Sequence, residues 1–208
     1  MNNIKTIFFD VGGVLLTNGW DHVAREQAAE HFGYDHKASE ARHQRVAQAF
    51  DEGRLNLDDY LKEVIFFRER PFASAPFIRF MESRSRAHPE ALRVVEQLTN
   101  AGQYRLATIN NESLHLNRYR IRAFELERYF DTFLSSCFLG IAKPDKAIFR
   151  EALQITQCSG QECLFVDDRE ENVATARRCG FWAIHLLQPS HLEEALSSYD
   201  IQIPVSSK

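Results

Sequence analysis

Five apolar runs along this chain predict buried β-strands, and most of them end at a polar residue. The runs are Ile4–Val11, Tyr104–Ile109, Phe130–Ser136 (the weakest of the five), Cys163–Val166 and Trp182–Leu187. Runs that are apolar on both faces are typical of parallel sheets covered by helices on both sides. The pattern therefore predicts the strands of a buried parallel sheet.

Helical segments lie between these runs. Pro89–Asn100 begins with proline and is followed by Ala-Gly, which are ordinary start and stop signals of a helix. Lys146–Thr156 and Asn172–Cys179 also have helical periodicity. Strands that alternate with helices predict an α/β fold, with an open parallel sheet as the middle of three layers.

The segment from about Asp21 to Arg86 interrupts this alternation. It contains four stretches with helical periodicity and no convincing strand: DHVAREQAAEHF, EARHQRVAQAF, LDDYLKEVIFF and PFIRFMESR. We therefore expect a helical cap of residues 19–87, inserted into a core made of residues 1–18 and 88–208. We expect the terminal segment Ile201–Lys208 to be frayed.

Composition and charge exclude several classes of protein. The chain has 208 residues with a net charge of −4 and no basic stripe, which argues against a nucleic-acid partner. No apolar stretch approaches the roughly 18 residues of a membrane span, and the N-terminus does not resemble a signal peptide. The cysteines lack metal-site spacing and are predicted to be free thiols in a reducing compartment: Cys137, Cys158, Cys163 and Cys179. We expect a soluble, cytoplasmic protein that does not bind membranes; the sequence leaves its protein partners unknown.

Polar side chains follow three of the predicted strands. Asp10 closes the first, the pair Asn110 and Asn111 closes the second, and the pair Asp167 and Asp168 closes the fourth. Ligands of open α/β sheets bind at the carboxyl ends of the strands. A single aspartate there is usually a turn former or a helix cap, but three carboxylates at one edge need a cation. Mg²⁺ prefers such oxygen ligands, so we expect a magnesium site.

A lysine lies in the loop before one of the predicted helices. Lys143, in the sequence GIAKPD, precedes the helix that begins near Lys146. Most lysines in such loops are surface residues. Its position between the second and fourth strand ends instead predicts a cation that offsets the charge of a bound phosphate.

These segments together resemble the four motifs of the haloacid dehalogenase-like (HAD) hydrolases. The segments are FFDVGGVL, INN, GIAKPD and FVDDREEN. The closest likeness is to the subfamily with a helical cap between the first and second motifs, and it covers essentially the whole chain. The resemblance implies a Rossmann-like core, Mg²⁺, a transiently phosphorylated aspartate and small phosphorylated metabolites as substrates.

The resemblance also assigns a role to each matching residue. Asp10 matches the nucleophile, and Lys143 matches the lysine that orders the nucleophile and the phosphoryl group. The carboxylates of Asp10 and Asp168 and the backbone carbonyl of Gly12 match the metal ligands. The remaining matches are two predicted supports of the metal site, Asp167 and Asn172, and two predicted phosphate contacts, Asn110 and Asn111.

The sequence departs from the phosphatase pattern at two positions. Phosphatases of this kind usually have a second aspartate, the general acid and base, where this chain has Gly12. Loss of positioned acid–base catalysis slows a reaction by about 10²–10⁴-fold. The second departure is Ile109, which stands where the pattern has serine or threonine; Thr108 is one position early and faces the other way by strand alternation.

Three functional hypotheses follow. The first is a Mg²⁺-dependent phosphohydrolase that acts on a small phosphorylated metabolite. The second is a catalytically weakened relative that binds a phosphorylated ligand or a partner; Gly12 and Ile109 favour it, whereas the retained Asp10, Lys143 and Asp168 argue against it. The third is a 2-haloacid dehalogenase, whose pattern has tyrosine at the Gly12 position and needs no metal.

The cap is rich in arginines, and their spacing does not specify a substrate. Solvated surface positions are the ordinary interpretation of such residues: Arg42, Arg45, Arg54, Arg68, Arg70 and Arg79. Arg68 and Arg70 stand out slightly because they flank a proline loop. Of the eight histidines, His22 and His115 lie nearest to the motif segments.

Overall fold

The computed structural model describes residues 3–203, and its centre is a five-stranded parallel sheet. The strands are β1 (Thr6–Phe9), β2 (Arg105–Asn110), β3 (Thr132–Ser135), β4 (Cys163–Asp167) and β5 (Trp182–His185). Their order in the sheet is β3-β2-β1-β4-β5, and every neighbouring pair is parallel. All five predicted strands are confirmed, including the weakest, and so is the α/β fold class.

Helices cover both faces of the sheet. Within the described residues they are α1 (His22–Phe32), α2 (His36–Asp51), α3 (Leu57–Val64), α4 (Ser74–Ser83), α5 (Pro89–Ala101), α6 (Leu114–Ala123), α7 (Ser136–Leu139), α8 (Lys146–Thr156), α9 (Glu170–Arg178) and α10 (Leu192–Ser197). Successive side chains of β1 enter opposite layers, as strand geometry requires. Phe9 joins the apolar cluster of α5 and α10, whereas Phe8 joins that of α8 and α9. The sheet is therefore the middle of three layers.

The three helices predicted for the core are confirmed as α5, α8 and α9, but α6 was not predicted. The buried face of α6 contains Leu116 together with Asn117 and Arg120. Polar residues on the buried face interrupt the apolar stripe that reveals a helix in a sequence. The signal for α6 was therefore absent from the pattern of apolar positions.

The helices α1–α4 lie between β1 and α5 in the chain and surround an apolar cluster of their own. This cluster includes Trp20, Phe50, Tyr60 and Phe77. The Phe50 and Tyr60 rings stack with their centroids 3.9 Å apart and an angle of 9° between their planes. The helical character predicted for the cap segment is confirmed, and we keep the name cap segment for residues 19–87.

One buried arginine joins the two points at which the chain crosses between core and cap segment. Arg120 on α6 donates from Nε to Ser85 Oγ at 3.0 Å and from Nη2 to the Thr17 carbonyl at 2.9 Å. Gly19 lies beside its guanidinium with a φ of 69°, and any Cβ there would overlap the arginine. Glycine is therefore required at position 19 for both its backbone conformation and its packing.

Three further expectations from the sequence concern the C-terminal segment, the cysteines and membrane-spanning helices. Ile201 is buried in the core cluster, so the expectation of a frayed tail is wrong there; residues 204–208 lie outside the described range. All four cysteines are free. No helix in the described part of the chain combines the length and apolar character needed to cross a membrane.

Candidate active site

The sheet order brings three carboxylates to one point. Because β1 lies between β2 and β4, the residue after β1 is adjacent to the residues at the end of β4. Asp10, Asp167 and Asp168 each contribute a carboxylate oxygen, and these oxygens lie within 4.8 Å of one another. Like charges at this separation repel strongly, so the cluster needs positive charge.

Lys143 supplies part of that charge from a buried position. Its Nζ lies 3.0 Å from Asp10 Oδ2 and 2.6 Å from Asp167 Oδ2. Burial alone would lower the pKa of Lys143, but the two carboxylates outweigh burial and raise the pKa above its usual value. The lysine therefore carries its charge at neutral pH.

A single lysine does not neutralise three carboxylates. Burial raises the pKa of Asp10 to about 7; Lys143 opposes this rise, and the charges of Asp167 and Asp168 add to it. Burial and the charge of Asp167 also raise the pKa of Asp168. The charge of Lys143 therefore does not balance the three carboxylates.

The two neighbouring aspartates at the end of β4 have different surroundings. Asp167 is fully buried and accepts hydrogen bonds from Lys143 Nζ, from the backbone N–H of Arg169 and from Asn172 Nδ2. Asp168 has a buried Oδ1 with no hydrogen-bond partner among the described residues. Because a buried carboxylate oxygen needs a partner, Asp168 rather than Asp167 has a free ligand atom. These residues fit a magnesium ion, which prefers carboxylate and carbonyl oxygens.

Asn172 contacts the cluster through Asp167. Its Nδ2 lies 3.0 Å from Asp167 Oδ1 and 3.1 Å from Oδ2, and the asparagine is itself buried. The asparagine therefore orients Asp167, which in turn holds Lys143. The structure places both predicted supporting residues in contact with each other, and Asp167 in contact with Lys143.

The two consecutive glycines of the first motif have different requirements. Gly13 has a φ of 77°, and a Cβ on it would overlap the Asp168 carboxylate, so this position requires glycine. A Cβ on Gly12 would lie 3.1 Å from Asn18 Oδ1 and 3.6 Å from Arg120 Nη1, and the Gly12 backbone is not left-handed. A side chain at position 12 therefore needs a small shift of Asn18 and no backbone strain.

The two asparagines after β2 face different surroundings. Asn110 donates to Asn117 Oδ1 at 3.0 Å and accepts from Ser135 Oγ at 2.9 Å, and it does not line the cavity described below. Asn111 lines the cavity and holds both the backbone N–H and the carbonyl of Lys143 at 2.8 Å. The structure therefore does not bring the Asn110 side chain to the predicted phosphate position. Asn111 orients the loop that carries Lys143.

The second departure from the phosphatase pattern also has a structural consequence. Ile109 is buried in the cluster shared with α8 and α9, and Thr108 is buried with a hydroxyl that has no partner among the described residues. Neither residue lines the cavity. No hydroxyl therefore reaches the site from this strand end.

A cavity of about 290 Å³ opens above Asp10 and Lys143 and is partly lined by the cap segment. Gly12, Asn111 and Asn172 also line it; Asp168 does not, and its carboxylate packs against Gly13 instead. Sequence reasoning missed several of its wall residues: Trp20, Arg25, His43, Asp51, Glu112 and Arg120.

Most of the cap arginines and histidines singled out in the sequence do not line the cavity. None of the six cap arginines named there lines the cavity. His22 does line it, whereas His115 lies outside and its Nε2 is 2.9 Å from Glu82 Oε1. Arg25, which had not been singled out, lines the cavity but is already paired with Glu40 through Nε and Nη2.

Comparison with known proteins bears on these features. A family model described as haloacid dehalogenase-like hydrolase matches residues 4–180. A sesquiterpene phosphatase from Aspergillus oryzae is 27% identical over 187 residues, which cover 88% of this chain and 89% of the relative. A glyceraldehyde 3-phosphate phosphatase from Pyrococcus abyssi is 27% identical over 176 residues, which cover 80% and 74%.

Solved structures share the fold. A HAD family enzyme from Bacteroides thetaiotaomicron, in complex with magnesium and inorganic phosphate, superposes with a TM-score of 0.75 at 18% identity. The match covers 87% of this chain and 93% of that one. Since the family model spans most of the sequence, the chain belongs to the haloacid dehalogenase-like hydrolases.

Proposed function

We propose that this protein is a Mg²⁺-dependent phosphohydrolase of a small phosphorylated metabolite and that it works through an aspartyl-phosphate. The observation that carries the proposal is the meeting of Asp10, Lys143 and the unpartnered Asp168 oxygen where the sheet ends. Two relatives named as phosphatases, each similar over most of this chain, support it.

In the proposed reaction, an Asp10 oxygen attacks phosphorus and the bond from phosphorus to the leaving oxygen breaks. The leaving group departs as an alcohol after it takes a proton from solvent. Water then attacks the aspartyl-phosphate, which releases inorganic phosphate and restores the carboxylate. Lys143 is held between Asp10 and Asp167, so its charge faces the incoming phosphoryl oxygens.

The predicted metal ligands are Asp10, Asp168 and the Gly12 carbonyl. When bound, Mg²⁺ supplies positive charge that offsets the phosphoryl oxygens and the clustered carboxylates. Phosphoryl transfer depends mainly on positioning and charge neutralisation, which these residues provide.

The cavity constrains the size and polarity of the substrate. Its volume of about 290 Å³ lies just below the ~300–1,000 Å³ usual for small-molecule sites. Charged and polar side chains from the core and from the cap segment line it. We infer that residues 19–87 act as the cap domain that selects a small, polar phosphate ester.

The first prediction tests the proposed activity. We expect the purified protein to release phosphate from an aryl phosphate in millimolar Mg²⁺ and to lose this activity in excess EDTA, because the carboxylate cluster then lacks the metal ion. Restored activity after Mg²⁺ is added back is the control. Phosphate binding without release would favour the non-catalytic hypothesis, and halide release from a 2-haloacid would favour the dehalogenase.

The second prediction concerns the leaving group. Without a carboxyl at Gly12, the rate should depend strongly on the leaving-group pKa, so aryl, acyl and anomeric sugar phosphates should react faster than simple alkyl esters. A plot of log rate against leaving-group pKa measures this dependence. A slope near zero would mean that another group already donates the proton.

A companion variant, Gly12→Asp, should help the poorest leaving groups most, by up to about 10²–10⁴-fold. The new side chain requires a small shift of Asn18, whose Oδ1 would lie 3.1 Å from the added Cβ, so a gain below the top of this range is expected. Arg120 Nη1 also lies near that Cβ, but it is already paired with Glu112 Oε2 at 3.0 Å, so its charge is balanced.

A further inference from the structure

A chain of hydrogen bonds in the cap segment ends at the cavity wall. Trp20 Nε1 donates to the Tyr60 hydroxyl oxygen at 2.8 Å, and that hydroxyl lies 2.9 Å from His43 Nδ1. Tyr60 is fully buried, and Trp20 nearly so. Of these three residues, Trp20 and His43 line the cavity.

The direction of these bonds determines where the His43 proton lies. An indole N–H can only donate, so the Tyr60 oxygen accepts from Trp20. A buried hydroxyl hydrogen needs an acceptor of its own, and His43 Nδ1 is the remaining partner among the described residues. Nδ1 therefore accepts, and the ring proton resides on Nε2.

His43 is also neutral. Burial, assisted by the charge of Arg25, lowers the pKa of His43 to about 4. Within the described residues no hydrogen bond uses Nε2. The Nε2–H group is thus an oriented donor without a protein acceptor. Arg25, the nearby cap cation, is occupied by Glu40.

An acceptor lies on the same helix. Asp51 lies eight residues beyond His43 on α2, a rise of about 12 Å along the helix, and both residues line the cavity. In the described part of the chain the Asp51 carboxyl has no hydrogen bond or ion pair, and burial together with the charge of Glu112 raises its pKa to about 7. Its backbone carbonyl accepts from Ser136 Oγ at 2.6 Å. The end of α2 is therefore fixed to the core, and the carboxylate remains free.

The residue before Asp51 contributes an apolar ring to the cavity wall. Phe50 also lines the cavity and is held by its stack on Tyr60. One hydroxyl group of a polyol can accept from His43 Nε2–H while another bonds to the Asp51 carboxyl, and the carbon skeleton that carries them can lie against an aromatic ring. A leaving group without hydroxyls would leave both polar groups unpaired, which disfavours its binding.

We propose that His43 and Asp51 form a subsite for hydroxyl groups, so that the substrates are phosphate monoesters of small polyols or sugars. The proposal rests on the proposed function, because it assumes that the phosphoryl group lies against Lys143. The cap segment then selects the substrate by paired hydrogen bonds and excludes apolar esters.

The first test determines the tautomer of His43 by NMR and does not require catalytic activity. In ¹⁵N-labelled protein at pH 7, His43 should show the Nε2–H tautomer. Tyr60→Phe removes the hydroxyl and keeps the stacked ring, and it should produce a mixture of tautomers. Tyr34→Phe, a cap tyrosine outside the cavity wall, should change nothing. An Nδ1–H tautomer in the wild type would overturn the proposal.

The second test compares glycerol 3-phosphate with propyl phosphate, which has the same chain length and no free hydroxyls. Asp51→Asn and His43→Phe should each lower kcat/KM for glycerol 3-phosphate by about 10- to 100-fold. For propyl phosphate, kcat/KM of each variant should stay within about threefold of the wild-type value. Asp58→Asn, at an exposed position on α3, is the matched control. Equal losses on both substrates would overturn the proposal. Comparing each variant with the wild type removes the effect of leaving-group pKa.

A binding measurement separates this proposal from the proposed function. In the Asp10→Asn variant with Mg²⁺, glycerol 3-phosphate should shift the His43 Nε2 resonance and propyl phosphate should not. That difference would support the subsite even if no ester released phosphate. The absence of phosphate release would refute only the proposed phosphatase activity. Identical responses to the two esters would refute the subsite.

Discussion

Asp10→Asn is expected to lower phosphate release by roughly 10⁴-fold or more, as removal of a nucleophile typically does. The amide has nearly the same shape as the carboxylate and can still accept the 2.7 Å hydrogen bond from the Val11 N–H. It has no anionic oxygen to attack phosphorus. Lys143 keeps its second carboxylate, Asp167, so the fold should survive.

The measurement is phosphate release from an aryl phosphate, with circular dichroism and thermal unfolding to verify the fold. Asp58→Asn serves as the control for the chemistry of the substitution, since this exposed aspartate lies on α3 away from the cavity. Full activity in folded Asp10→Asn protein would exclude an aspartyl-phosphate at this residue.

Lys143→Met should affect both catalysis and stability. Loss of a preorganised charge at the phosphoryl group should reduce phosphate release by about 10²–10³-fold. It also leaves Asp167, which is fully buried, without its cation; breaking such a buried pair costs about 3–5 kcal/mol in the free energy of unfolding. Urea unfolding at pH 7 measures the second effect.

Two further variants separate the two effects of Lys143→Met. Lys146→Met changes an exposed lysine at the start of α8 and should leave activity and stability nearly unchanged. The double variant Lys143→Met/Asp167→Asn removes the uncompensated charge, so it should unfold at higher urea than the single variant but stay inactive. If the double variant were as unstable as Lys143→Met, lost packing rather than charge would explain the instability.

The sheet and the carboxylate cluster could be predicted because their causes are local in sequence. Strands such as β1 and β4 are apolar on both faces, and the polar residue that follows each of them is visible at once. Parallel strand ends meet at one edge, so Asp10 and Asp168 could be brought together without coordinates. Lys143 followed from its place in the loop before α8.

The different surroundings of Asn110 and Asn111 at the end of β2 have a physical cause that the sequence does not show. Both asparagines follow an apolar run, and only the structure shows that the strand extends through Asn110. The side chain of Asn110 then joins Ser135 and Asn117, while that of Asn111 turns to the cavity. A difference of one residue decides which amide reaches the site.

The cap residues could not be predicted because their role depends on docking. The apolar pattern of α2 marks the face that packs in the cap cluster, and nothing local distinguishes His43 from the other histidines. The hydrogen-bond chain that orients His43 joins Trp20 and Tyr60, which are 40 residues apart in sequence. Arginines were conspicuous in the sequence, but the long side chains named there lie outside the cavity.

The contacts of Arg120 with residues at both ends of the cap segment limit how segments can be exchanged between this protein and its relatives. A graft that exchanges residues 19–87 alone would bring a new residue to position 85 and another to position 19, both of which contact a core side chain. Any graft without glycine at 19 would collide with that arginine, and one without a hydroxyl at 85 would remove the acceptor of its Nε. Chimeras in this family should therefore be designed with Arg120 and its partners as part of the exchanged unit, because this residue of α6 contacts residues at both ends of the cap segment.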